Sequence, residues 1–150
     1  MKSVFDRADV AELTARINTL TPSTTPQWGK MSVDQMLAHV NVAYEMVYED
    51  RHPKPSWLIR FALKVFVKAK VVGPTPYPRN SPTAPIFRMS GTKEFALERQ
   101  RLIAFIERVQ HDGARTFEDK ESPSFGPLTA AEWNVLFYKH LDHHLTQFGV

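Results

Sequence analysis

YKHLDHHLTQFGV, residues 138–150, closes the chain and places three of its six histidines within five residues. The run upstream opens on TAAE, where Thr129 and Glu132 stand at the spacing of a capping box, so a helix is expected from there to about Gln147, with Gly149 beyond. At ~100° per residue, Trp133, Phe137, His140 and His144 fall on one side of that helix. Leu136 and Phe148 flank them, His143 sits at the edge of the stripe, and Asp142 points away. Imidazoles are costly to bury without partners. Two of them in successive turns of an apolar face therefore need an explanation.

The rest of the chain has the same period. Residues 6–20 carry Val10, Leu13, Ile17 and Leu20 at helical spacing and stop before the proline-punctuated loop TPSTTP. A second helix begins at SVDQ, with Ser32 and Gln35 as its capping box, and shows Val33, Met36, Leu37, Val40, Tyr44 and Val47 as an apolar stripe up to about Asp50. A third, TKEFALERQRLIAFIERVQHDG, starts at Thr92, turns Phe95, Leu102, Ile106 and Val109 inward, and has Gly113 where a C-terminal cap belongs. Strand signals are poor: no alternation persists and no hairpin dipeptide separates apolar runs. An all-α fold of a single domain spanning residues 1–150 is expected, arranged as a four-helix bundle.

The connections set the order. A short loop makes the first two helices antiparallel neighbours. About 40 residues separate the second from the third, far more than a helix hairpin needs, so a crossover along the bundle would let those two run parallel. The intermediate link ARTFEDKESPSFGPL returns the chain antiparallel. Within the crossover, SWLIRFALKVFVKAK, residues 56–70, is a fifth helix candidate with Arg60, Lys64 and Lys68 on one face. The plain expectation is a helix packed on the bundle with its basic edge in water. The sharper one is a membrane-surface or dimer-contact helix. GPTPYPRNSPTAP, which follows, is too proline-rich for helix or central strand.

Composition limits the chemistry. There is no cysteine, so histidine and carboxylates are the strong metal ligands that remain, and any thiol must come from outside. The net charge of +3 is no nucleic-acid signature, and no nucleic-acid partner is expected. The N-terminus lacks a signal-peptide core, and no stretch has the ~18 apolar residues of a membrane span. A cytoplasmic protein without stable membrane insertion is the expectation.

Spacing i, i+4 puts His140 and His144 on one side of their helix, as metal-binding helices do. No glutamate lies between them, so the zinc-protease arrangement is excluded. If the second and last helices are antiparallel, His39 comes to the same depth in the bundle as His140 and His144. Its azimuth is ambiguous: His39 sits on the flank of its stripe beside Met36, Ala43 and Met46, facing either the centre or a groove. His52 and His111 read as ordinary surface or helix-end histidines.

Taken together, WGKMSVDQMLAHV (28–40), PRNSPTAP (78–85) and FGPLTAAEWNVLFYKHLDHHLTQFG (125–149) resemble the DUF1569 family of the DinB/YfiT-like metalloenzyme superfamily, over about residues 17–149. The resemblance implies a four-helix bundle in up-down-down-up order. It also implies a metal-binding triad of one histidine from the second helix and two from the last, here His39, His140 and His144. Superfamily members hold nickel, zinc or another divalent ion, so zinc or nickel is expected. Some transfer or isomerise substrates with small thiols, and a homodimer is also implied.

Three function classes follow. One is a metal-dependent transferase or hydrolase activating a small thiol or water. Glu45, Glu98 and Asp142 are candidate bases, though none clearly faces the site. Another is a non-catalytic bundle that binds a small molecule or partner. The third is peripheral membrane attachment through residues 57–70.

Overall fold

In the computed structural model, which describes residues 2–150, helices account for most of the chain. They are α1 (Arg7–Thr19), α2 (Val33–Tyr48), α3 (Trp57–Phe66), α4 (Lys68–Val72), α5 (Phe95–Phe117) and α6 (Ala130–Gln147). A single 3₁₀ turn, Pro85–Phe87, interrupts the long segment between α4 and α5.

Three of the four long helices start where the sequence supplies caps. The Asp6 carboxylate accepts hydrogen bonds from the backbone N–H of Ala8 and Asp9 at the head of α1. Gln35 Oε1 accepts from the Ser32 amide at 3.3 Å on α2. At α6, Thr129 Oγ1 accepts from the Glu132 amide while Glu132 accepts from the Thr129 amide, closing the capping box. The expected Thr92 cap is not used: α5 starts after Glu94, two residues later, and the Glu94 side chain makes no capping hydrogen bond. Gly113, at φ 73° and ψ 164°, breaks α5 internally; a left-handed residue is the ordinary end of a helix, and a further turn continues to Phe117.

Cross-helix contacts give the directions. Asp34 meets Lys93, Asn41 meets Glu98, and Tyr48 meets Asp112, so α2 and α5 run the same way. His39 meets His140 while Tyr44 stacks on Phe137, so α2 and α6 run oppositely. The Val4 amide bonds Asn134 and Arg16 bonds Asp142, which sets α1 parallel to α6.

The core lies between these helices. Leu13, Ile17, Met36, Leu37, Tyr44, Leu102, Ile106, Trp133 and Phe137 are almost completely buried. Tyr44 is stacked between Phe105 and Phe137, at centroid distances of 5.8 and 4.6 Å. Helix α2 is buried on nearly every side from Met36 to Glu45, because α5, α6 and the 3₁₀ turn all pack on it.

Two expectations need correction. A short antiparallel hairpin is present, β1 (Lys120–Ser122) with β2 (Gly126–Leu128), pairing Lys120 with Leu128. Strands of three residues are too short to display an alternation, which is why the sequence hid them. The crossover helix is also the other way round. Two residues of its basic edge turn to the protein, Arg60 paired to Glu121 and Lys68 to Glu132, while Lys64 stays exposed and the large side chains of Trp57, Phe61 and Phe66 face outward. No described helix is long and apolar enough to cross a membrane.

Candidate metal centre

His39 stands on α2, two turns after its capped start, and His140 and His144 stand one turn apart on α6. Because α2 and α6 are antiparallel, the three rings meet near one end of the helix pair. Ring centroids are 5.0 Å apart for His39 and His140, 4.6 Å for His39 and His144, and 4.9 Å for His140 and His144. One nitrogen from each ring lies within 4.8 Å of the others. His39 and His144 are buried, and His140 is partly open.

The outer nitrogens have fixed partners. His39 Nδ1 is 2.8 Å from the Phe87 carbonyl oxygen, which can only accept, so Nδ1 donates and Nε2 keeps its lone pair. His144 Nδ1 is 2.8 Å from Gln147 Oε1. The Gln147 amide nitrogen donates to the Trp28 carbonyl at 2.7 Å, which fixes the amide orientation and makes His144 Nδ1 the donor. His39 and His144 are thus held with Nε2 turned inward, the arrangement that orients metal-ligating histidines.

The electrostatics keep the rings neutral. Burial pushes His39 down from its ordinary value, partly offset by the Phe87 carbonyl. Burial also lowers His140 strongly, helped by His144, His39 and His143. His144 falls to about 3, first by burial and then by His39, against the opposing Gln147 bond. His39 Nε2 and His140 Nε2 are 3.0 Å apart. Two nitrogens bound to one tetrahedral zinc at ~2.05 Å would be about 3.3 Å apart, so the pair is already close to that geometry. Three neutral nitrogen donors could hold a borderline divalent ion.

None of the carboxylates weighed as bases is available here. Glu45 accepts from His52 at 2.6 Å and pairs with Arg101. Glu98 is bonded to Asn41 and Arg101, and Asp142 to Arg16 at 2.7 Å. His52 therefore hydrogen-bonds the buried Glu45 carboxylate, and His111 is almost fully exposed.

His143, expected at the edge of the apolar stripe, is not left in solvent. It is half-buried, edge-on to Trp28 and Tyr77, and its ring abuts that of His144 at 5.1 Å. With Arg79, Lys139, Trp28 and Tyr77 it lines a cleft of about 310 Å³ beside the triad.

A family model described as the DinB superfamily matches residues 4–148. The chain belongs to the DinB superfamily. No curated protein and no solved structure matches it. Within this DinB-superfamily chain the shared face of His140 and His144 was legible from their spacing, His39 joined them only through the resemblance, and two of the supports had not been read at all. Gln147 lies three residues after His144, a spacing that places both on one helix side and could have signalled the contact. The Phe87 carbonyl had no sequence signal, because any residue in that turn would supply one.

Proposed function

We propose that the four long helices form an up-down-down-up bundle whose centre is a divalent-metal site, zinc or nickel, held by His39, His140 and His144, and that the site activates a small thiol or water for transfer or hydrolysis. One observation carries this reading: three neutral imidazole nitrogens converge with no carboxylate among them. When bound, an ion with three neutral ligands and an open position acts as a Lewis acid and lowers the pKa of a thiol or water.

The chain's own residues do the rest. The Phe87 carbonyl and Gln147 fix two ligand tautomers. Burial keeps the ligands unprotonated at neutral pH. His143, Trp28 and Tyr77 wall the adjoining cleft, and Arg79, whose guanidinium lies 4.4 Å over the Trp28 ring, offers a cation for a carboxylate of a small substrate.

A second reading, a bundle that binds without catalysis, has one observation in its favour. Glu45, Glu98 and Asp142 are all engaged elsewhere, so none of these carboxylates serves the triad as a base. Turnover assays on zinc- or nickel-loaded protein, with glutathione and an electrophilic acceptor and with activated esters, separate the two. The catalytic reading expects turnover that His39→Ala and His144→Ala each remove. Stoichiometric metal with no turnover on any thiol or ester leaves the binding reading.

A further inference from the structure

The outward face of α3 has no place in the metal chemistry. Trp57, Leu58, Ile59, Phe61, Val65 and Phe66 are between 53% and 79% exposed. On a wheel they occupy an arc of roughly 200° that contains no charge. Apolar faces this continuous on a folded protein mark a surface that meets something.

The face cannot simply turn inward. Leu63, Val67, Val71 and Val72 already pack on the core from the other side. Arg60 is paired with Glu121 and Lys68 with Glu132, and Lys139 Nζ donates to the carbonyls of Lys70, Gly73 and Thr75. These contacts hold the helix with its apolar arc outward.

Charge says what covers it. Residues 51–93 contain nine lysines and arginines and no aspartate or glutamate, so the rest of the chain is net acidic. Lys54, Lys64 and Lys70 are exposed and, among the described residues, make no ion pair. A second copy docked face to face would set these cations against their own equivalents around the patch. An apolar arc with tryptophan and phenylalanine, bordered on its own helix by the unpaired Lys64 and with Lys54 and Lys70 in the segments on either side, is the pattern of a helix lying in the interface of an anionic bilayer.

We propose that α3 is a membrane-docking element that seats its apolar arc in the headgroup boundary of anionic lipid, with Lys54, Lys64 and Lys70 at the phosphates and the metal centre on the bundle behind it. The test is co-sedimentation of the full chain with phosphatidylglycerol-containing vesicles and with phosphatidylcholine vesicles at low salt. The expected result is retention on the anionic vesicles alone. Lys64→Gln and Lys70→Gln should each weaken it about fivefold. Phe61→Ser with Phe66→Ser should abolish it while the melting temperature and metal content stay unchanged, since both side chains are exposed. Absence of retention on anionic vesicles overturns the proposal. So does a dimer in light scattering that Phe61→Ser converts to monomer, because the face would then belong to a second copy.

Discussion

His39 Nε2 and His140 Nε2 lie 3.0 Å apart on two oppositely directed helices, although 101 residues separate them in the chain. His39 is anchored from behind by the Phe87 carbonyl, so its lone pair points at its partner. A ring pair held this way, with His144 beside it, has few uses other than a proton or a metal ion.

Metal content is the first expected outcome. Protein purified without a histidine tag and incubated with zinc or nickel should carry about one ion per chain by elemental analysis, and His140→Ala should carry none. An ion present at a hundred times its dissociation constant should also stabilise the fold by about 2.7 kcal/mol, visible as a raised melting temperature. Wild type that stays metal-free with zinc, nickel and manganese would remove the site.

Gln147 should matter through His144 alone. It orients the imidazole and ties it to Trp28, so Gln147→Leu should weaken metal affinity 10- to 100-fold while leaving the stoichiometry at one. Gly29→Ala should act similarly, because a Cβ there would stand 2.5 Å from the Gln147 amide nitrogen, at a φ of +85° that already disfavours alanine. Titration calorimetry reads both; unchanged affinity in Gln147→Leu would refute the orienting role.

Acid should destabilise the metal-free protein. The folded-state values of His39, His140 and His144 all lie below the ordinary 6.5, so the unfolded chain binds protons more readily. The stability these neutral rings contribute is complete above about pH 6.5 and is lost progressively as pH falls; for His144 the loss continues to about pH 3. Denaturant unfolding between pH 8 and 4 in chelator should show that decline, and His144→Gln should flatten it. An identical slope in the variant would contradict the assignment.

Lys139 should act as a clamp on the crossover. Its ammonium donates to three backbone carbonyls at 2.8, 2.6 and 3.1 Å. Lys139→Met leaves those acceptors unpaired and should cost about 2–3 kcal/mol. Hydrogen exchange should speed up across residues 68–75 before the rest of the fold, whereas uniform acceleration would point to a general packing defect.

Tyr44 presents the opposite case. Its hydroxyl is buried without a hydrogen-bond partner among the described residues, and burial raises its pKa well above the ordinary 10. Tyr44→Phe keeps both ring stacks and removes the unsatisfied group, so stability should stay equal or rise by about 1 kcal/mol. A clear loss on thermal melting would show that the hydroxyl has a partner.

The sequence by itself determined the helices and most of their inward residues, because capping boxes and a 3.6-residue apolar period are local properties that Ser32, Gln35, Thr129 and Glu132 display openly. It also picked out His140 and His144, whose shared face is fixed by four residues of one helix. Tertiary structure decided the rest. His39 looked ambiguous on its stripe because α2 is buried almost all round, and the flank it occupies is covered by a turn 48 residues away. The crossover helix reversed the usual rule of apolar side inward, since Arg60 and Lys68 found Glu121 and Glu132 on elements far along the chain. Contacts of that kind depend on which segments meet, and no local pattern of side chains encodes the meeting.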